Sequence, residues 1–164
     1  VDIGSRVEAR GFFEGRSLAD AADEYFTVWR EAVESGLFDA MAHPDYWRKF
    51  LHTARAEPAA WSEYGSVVGD AIESLARCGV GVEVNTSAMR HGLGSFYPVR
   101  EFMEAAHAAG VRRVTLGSDT HSPEVLGYMI PEAARQLQEV GFSSVSTFSG
   151  REAASIPLSR LLPS

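Results

Sequence analysis

The alternation of apolar and polar residues predicts long helices separated by short strands. After Ser17, the expected N-cap, apolar residues recur at helical spacing until Gly36 ends the segment. A second long helix is predicted at about 59–78 and a third over "VREFMEAAHAAG", each closed by a glycine. Residues 1–16 do not show this pattern, and we expect them to be irregular.

Short apolar runs between the helices predict the strands. The runs are "LFDAMAHP", "VGVEVNTS", "VRRVTLGSD" and "FSSVSTFSG". Pro123 is expected to restart a helix after the third run, and "IPEAARQLQEVG" predicts a further helix. Strands that alternate with helices of this length favour parallel βα units. We therefore expect a single α/β domain, residues 1–164, with about four such units.

Composition narrows the classes of protein that this chain can represent. Hydrophobic residues make up 45% of the 164 residues, and the net charge of −7 with scattered basic residues argues against nucleic-acid binding. The lone cysteine, Cys78, fits a reducing compartment and is expected to be buried. The sequence shows neither a transmembrane-length apolar run nor a signal-peptide pattern, so we expect a cytoplasmic protein without a membrane partner.

Candidate metal ligands follow two of the predicted strands. His43 ends the first run, and Asp119 and His121 end the third. Residues two apart in a strand point to the same face, so the carboxylate and the imidazole can aim at one point. Together with His43 they form a set of nitrogen and oxygen ligands suited to a divalent metal. The alternatives are a helix cap beside a turn histidine, and a His43 satisfied by a neighbouring carbonyl.

Further polar residues lie on the second predicted strand or follow the first two strands. Glu83 lies within an apolar strand and requires a partner, which is a cation, a metal-binding imidazole or backbone amides. Arg90 lies in a glycine-flanked loop, and its planar guanidinium suits a phosphate. Arg48 and Lys49 follow His43 and are candidates for the same rim. A solvated loop and an exposed helix face remain alternatives for these cations. His52, His91 and His107 are expected at the surface.

Four stretches, taken together and in order, resemble the histidinol-phosphate phosphatases of the PHP (polymerase and histidinol phosphatase) family. They are "ESGLFDAMAHPDYWRKF", "GVEVNTSAMRHG" followed by "YP", "VTLGSDTHSPEVLG" and "EVGFSSVSTFSGREAASIPL". The resemblance covers the chain from about residue 18 onward. It implies part of a distorted (β/α)7 TIM-like barrel with two or three divalent metal ions, Mn, Zn or Fe, at its carboxyl rim.

The family further implies hydrolysis of L-histidinol phosphate, a small phosphorylated metabolite, to L-histidinol and phosphate in histidine biosynthesis. By resemblance, the metal ligands are His43, Asp119 and His121, of which Asp119 and His121 also have the catalytic roles. The residues expected to hold the phosphate are Arg90 and Arg48. The residues expected to support the rim are Glu83, Asn85, Ser118 and Ser122.

One departure from the family pattern is large. The pattern begins with an H-x-H strand, which this sequence lacks. We therefore expect residues 1–164 to be the C-terminal portion of a longer chain, with little or no activity alone and with an open sheet edge that favours self-association. Two alternatives remain: another phosphoesterase or metal hydrolase of the superfamily, and a non-catalytic folded fragment that acts in assembly.

Overall fold

The computed structural model describes residues 3–162. Six α-helices and five strands follow one another along this range. They are α1 (Arg6–Phe13), α2 (Leu18–Glu34), β1 (Ala40–Met41), α3 (Trp61–Cys78), β2 (Gly81–Asn85), α4 (Ser87–Arg90), α5 (Arg100–Ala108), β3 (Val114–Gly117), α6 (Ile130–Val140), β4 (Ser144–Ser149) and β5 (Glu152–Pro157). Short 3-10 helices lie at Tyr46–Thr53, Pro123–Val125 and Leu158–Arg160. None of the helices in this range is long and apolar enough to cross a membrane.

Three strands form a parallel sheet in the order β1-β2-β3. Ala40 pairs with Gly81 across β1 and β2, and Asn85 pairs with Gly117 across β2 and β3. The long helices pack on one another, α2 on α3 and α3 on α5. Because the strands are parallel, their carboxyl ends meet at one edge, which we call the rim. The sheet confirms the predicted α/β class.

The local signals for α2 and α3 are confirmed. The side chain of Ser17 accepts a hydrogen bond from the backbone N–H of Asp20, at 3.1 Å, as expected of an N-cap. Phe26 and Trp29 are buried on one face of α2. Gly79 ends α3 in the left-handed conformation, with φ +66°. In both helices the cap and the apolar face come from residues close together in sequence, so a pattern sufficed to locate them.

Two of the expected local structures are wrong. A helix, α1, occupies part of the region expected to be irregular, of which residues 1–2 lie outside the described residues. Ser5 caps it, and Phe13 packs on Trp47 with ring centroids 5.7 Å apart. So short a helix depends on such packing, which a local pattern does not contain. Conversely, Pro123 begins only a 3-10 turn, and the long helix starts later, at Ile130.

The fourth strand does not extend the parallel sheet, contrary to the prediction of about four parallel units. It pairs antiparallel with β5, a strand that the sequence pattern did not indicate, and forms a separate hairpin. Gly150 and Arg151 join the two strands with φ of +56° and +68°, the left-handed geometry that suits a tight hairpin turn. One edge of β4 is therefore paired within the hairpin and not with β3.

Cys78 is exposed, not buried as predicted. It is the last residue of α3, and the residues on either side of it, Arg77 and Gly79, are exposed as well. The apolar face of α3 consists of other residues, among them Ile72 and Leu75. The composition of a helix end thus did not reveal which way its last side chain points.

Candidate functional site

Glu83 connects the ends of all three parallel strands. It lies on β2, and its Oε2 accepts hydrogen bonds from the backbone N–H of His43 and from Asn85 Nδ2, both at 3.1 Å. Gly117 of β3 faces it closely: a Cβ there would lie 3.0 Å from Glu83 Cδ. The carboxylate thus finds amide donors as partners, one of the alternatives that the sequence left open, and it fits only because residue 117 has no side chain.

Arg90 ends α4, the short helix after β2 that replaces the loop expected there, and its side chain reaches the loop after β3. Its two terminal nitrogens donate to the carbonyl oxygens of Ser118, at 2.8 Å, and Asp119, at 2.9 Å. The guanidinium also lies 5.6 Å from the centre of the Tyr128 ring. A guanidinium has five N–H donors, so these two bonds orient the group and leave donors for a ligand.

Asp119 and His121 lie side by side on the loop after β3. His121 Nε2 is 3.3 Å from Asp119 Oδ1, and the two side chains are 86% and 32% exposed. Asp119 has a positive φ of +48°, and His43 at the end of β1 has a φ of +24°. Strained backbone at non-glycine residues is concentrated at functional sites. Ser118, which precedes Asp119, contacts Thr120 through its hydroxyl at 2.6 Å, and Ser122 is exposed.

The ring of His43 belongs to an aromatic group on the rim. The Tyr46 ring packs on it at a tilt of 34° with centroids 4.5 Å apart, and the Tyr97 ring lies 6.4 Å away. His91 Nδ1 is within hydrogen-bond distance, 3.1 Å, of the Tyr97 hydroxyl. Burial, followed by the charges of Lys49 and Arg90, lowers the pKa of His91 from its ordinary value, while Asp119 acts in the opposite direction.

Sequence reasoning missed His91 and the two tyrosines as members of the rim, whereas Lys49 was among the candidates for it. His91 was expected among the surface histidines, yet it is half-buried, and the charges of Lys49 and Arg90 act on its pKa. Its position directly after Arg90 was the available signal. The contact between His91 and Tyr97, however, depends on how the intervening glycine-rich loop folds back, which no pattern of apolar residues specifies.

The side chain of Arg48 points into the protein interior. Its side chain is 8% exposed and donates to Asp45 Oδ2 at 3.1 Å, to the Phe96 carbonyl at 3.1 Å and to Ser95 Oγ at 2.6 Å. Asp45 Oδ2 also accepts the backbone N–H of Val99 at 3.0 Å. The guanidinium expected to contact a phosphate is therefore occupied by protein acceptors.

The side chains of residues 3–162 do not by themselves complete a metal site. Within residues 3–162, no group of three or more His, Cys, Asp and Glu residues is arranged to hold a metal ion. Asp119 and His121 form a pair, whereas the His43 ring is stacked on Tyr46. A catalytic divalent metal usually has three protein ligands. The expected convergence of His43, Asp119 and His121 on one cation is thus not found.

Comparison with known proteins gives one relative of clear sequence similarity. Over 134 residues, the chain is 31% identical to a protein of Deinococcus radiodurans named probable histidinol-phosphatase. This match covers 82% of the chain and 48% of the relative. No protein-family model matches the chain.

The fold is similar to that of a solved structure. That structure is histidinol phosphate phosphatase from Lactococcus lactis in complex with zinc, L-histidinol and phosphate. The TM-score is 0.64 at 18% identity, over 87% of this chain and 54% of the other. The chain thus spans about half the length of the proteins it matches, with a parallel α/β sheet consistent with part of this fold. These findings confirm the resemblance: the chain is a histidinol-phosphatase-like relative of the PHP family, and its relatives are hydrolases of the phosphatase class.

Proposed function

We propose that this chain serves in the hydrolysis of L-histidinol phosphate to L-histidinol and phosphate, a step of histidine biosynthesis. The observation that carries the proposal is the position of Arg90, held by the backbone carbonyls of Ser118 and Asp119 on the loop that carries the Asp119 side chain. A cation fixed against the loop that carries a carboxylate is an arrangement suited to phosphomonoester hydrolysis. The names of the two relatives support this substrate.

The residues at the rim have different roles in the proposed hydrolysis. The remaining donors of Arg90 neutralise charge on the phosphoryl oxygens as the ester bond breaks. Asp119, at 32% exposure, is accessible to water and takes the proton of the attacking water or helps to protonate the leaving alkoxide. His121 orients this carboxylate from 3.3 Å. Arg48 supports the rim from inside by binding Ser95 and the Phe96 carbonyl.

We further propose that the three parallel strands belong to a TIM-like (β/α)7 barrel, as the later part of its single PHP-type domain. The motifs of this chain match the later part of the family pattern, and the sheet runs parallel. His43, Asp119 and His121 then contribute to a divalent metal centre together with ligands from outside residues 3–162, because within that range no complete ligand group exists. The chain alone is therefore expected to hydrolyse phosphate esters poorly or not at all.

A chimeric enzyme tests the proposed function. In it, this chain replaces the matching 48% of the Deinococcus radiodurans protein. We expect release of inorganic phosphate from L-histidinol phosphate in the presence of manganese, and a loss of kcat/KM of about a hundredfold in the Arg90→Ala chimera. The exposed Arg135 on α6 gives the matched control, since Arg135→Ala changes another arginine away from the rim. A folded chimera without phosphatase activity, or with activity independent of Arg90, would contradict the proposal.

Self-association is a second candidate role, favoured by the exposed apolar surface beside β1. Leu37 and Phe38 are 72% and 46% exposed, and they precede the edge strand of the parallel sheet. A second copy of the chain would cover this surface. Light scattering of the purified protein, combined with metal analysis, tests this role: a dimer without bound metal that becomes monomeric in Phe38→Asp supports assembly, and a monomeric wild type contradicts it.

A further inference from the structure

Residues 122–129, which precede α6, pack against the loop that directly follows β3. We call them the rim segment. Thr120 Oγ1 donates a hydrogen bond to the Val125 carbonyl, and the backbone N–H of Gly127 donates to Ser118 Oγ, both at 3.2 Å. Because Ser118 and Thr120 are the two neighbours of the candidate catalytic carboxylate, the middle of the rim segment lies beside the turn that carries it.

Tyr128 connects the rim segment to the residues that follow β2. Its carbonyl accepts a hydrogen bond from Thr86 Oγ1 at 2.5 Å, and its ring centre lies 5.6 Å from the guanidinium carbon of Arg90. Arg90 in turn donates to the carbonyls of Ser118 and Asp119. Direct contacts thus join the Tyr128 ring to the cation, and the cation to the loop with the carboxylate.

The rim segment exposes two large apolar side chains on an ordered backbone. Leu126 is 77% exposed and Tyr128 is 38% exposed, and both lie outside the hydrophobic core of residues 3–162. The backbone N–H of Leu126 donates to the Pro123 carbonyl at 3.2 Å, and that of Tyr128 donates to the Val125 carbonyl at 3.1 Å. A surface that is already ordered loses little conformational entropy when a ligand binds to it.

A phosphate ester has an alcohol part as well as a phosphate, and the two parts need different contacts. Sites for small molecules combine a few polar groups with apolar and aromatic surface. Arg90 supplies the polar contact in the proposed function. Among the aromatic residues at the rim, Tyr97 is fully buried and Tyr46 packs on His43, whereas the exposed Tyr128 ring lies next to Arg90. Tyr128 is therefore the ring available to the alcohol part.

We propose that Tyr128 and Leu126 form an apolar wall of the site, which binds the alcohol part of the phosphate ester and selects alcohols that carry a flat ring. The identity of the ester rests on the proposed function, but the contact between the ligand and the rim segment does not require turnover. The ring of the alcohol packs on the Tyr128 ring, as aromatic pairs do, and Leu126 covers its edge. Both residues determine specificity and take no part in breaking the ester bond.

The exposed Leu37 provides a matched control for Leu126 in the 164-residue chain. The two leucines are 72% and 77% exposed, but Leu37 precedes β1 and so lies on the amino side of the sheet, away from the rim. With 13C-labelled leucine methyl groups, we expect L-histidinol phosphate to shift the Leu126 NMR signals saturably and to leave those of Leu37 in place. Leu126→Ala and Leu37→Ala assign the signals.

Inorganic phosphate distinguishes contact with the alcohol part from an effect of charge. It has no alcohol part, so it should move the methyl signals of neither Leu126 nor Leu37. Leu126 signals that stay in place with L-histidinol phosphate, that move together with those of Leu37, or that respond equally to inorganic phosphate overturn the proposal.

Substrate selection is measured in the chimeric enzyme as a ratio of two kcat/KM values, for L-histidinol phosphate and for glycerol 1-phosphate, which has no ring. Tyr128→Ala and Leu126→Ala should each lower this ratio by about fivefold, the loss of one packing contact. Tyr128→Phe keeps the ring and should keep the ratio, and Leu37→Ala should leave it unchanged. A merely structural role would lower both kcat/KM values equally, so an unchanged ratio in Tyr128→Ala and Leu126→Ala overturns the proposal.

The outcomes separate the apolar wall from the proposed function. If the chimera hydrolyses L-histidinol phosphate with the same ratio in Tyr128→Ala and Leu126→Ala, the apolar wall is wrong and the phosphatase assignment stands. If L-histidinol phosphate shifts the Leu126 signals while a folded chimera is inactive, the apolar wall stands and the proposed hydrolysis fails.

Discussion

The carboxylate of Glu83 on β2 accepts the backbone N–H of His43, 3.1 Å away at the end of the neighbouring strand β1. This bond holds His43 where the backbone has a positive φ of +24°. Asn85 donates to the same carboxylate oxygen. One acidic residue within an apolar strand thus positions the loop that carries a candidate ligand, and its burial is offset by amide donors.

Replacing Gly117 by alanine should displace Glu83 and release the His43 loop. The new Cβ would lie within 3.0 Å of Glu83 Cδ, closer than van der Waals contact permits. We expect Gly117→Ala to lower the free energy of unfolding in urea by about 1–3 kcal/mol, the usual cost of breaking buried hydrogen bonds.

The control is Gly69→Ala on α3, where a Cβ meets nothing within 4 Å. Alanine is favoured over glycine in a helix, so this variant should gain about 0.5–1 kcal/mol. A double-mutant cycle with Glu83→Ala adds a second check. If the effects of Gly117→Ala and Glu83→Ala are additive, the contact between the two residues does not explain the loss.

The adjacent cations Arg48 and Lys49 should differ sharply in their effect on stability. Arg48→Ala leaves Asp45 buried without its charged partner, and removing one member of a buried pair costs about 3–5 kcal/mol. Lys49→Ala removes a half-buried bond to a hydroxyl and should cost about 1 kcal/mol or less. Urea unfolding followed by circular dichroism measures both. Equal losses of unfolding free energy would contradict the placement of Arg48 in the interior and of Lys49 at the rim.

The pKa of His91 should lie below that of an ordinary histidine, because burial and then the charges of Lys49 and Arg90 disfavour its protonated form. With a lowered folded-state pKa, the unfolded chain binds the proton more readily, so stability falls as pH decreases below about 6.5. Between about pH 7.5 and pH 5.5, the wild type should therefore lose more unfolding free energy than His91→Gln.

The exposed His52 supplies the control for this pH dependence. His52→Gln should retain the slope of the wild type over the same pH range. NMR titration of the His91 ring nitrogens gives the pKa directly, and Lys49→Gln should raise it because one of the opposing charges is removed. If the His91 pKa is the same in Lys49→Gln as in the wild type, the two side chains are too far apart to interact.

Cys78 should react with a thiol reagent in the folded protein. The side chain is exposed at the end of α3, so Ellman's reagent should label it without denaturant, at a rate within about tenfold of that for the unfolded chain. Cys78→Ser should change the free energy of unfolding by less than about 0.5 kcal/mol, as surface substitutions do. If labelling requires denaturant, Cys78 is buried, as the sequence predicted, and its exposed position is wrong.

The sequence by itself determined the features that short-range physics specifies. Helical spacing of apolar residues, the Ser17 cap and the Gly79 stop located α2 and α3, because these signals act within a turn or two. The order of helices and strands predicted a parallel sheet, and hence that His43, Arg90 and Asp119, which follow its strands, would lie at one edge.

Tertiary structure decided which way individual side chains point and which strands pair. Arg48 and Lys49 are neighbours in sequence, yet the 3-10 helix turns one inward to Asp45 and the other to Tyr46. Strand β4 has an apolar pattern like that of the others, but it pairs antiparallel with β5 and not with the parallel sheet. Both outcomes depend on contacts between residues whose proximity is created by folding, so local periodicity could not contain them.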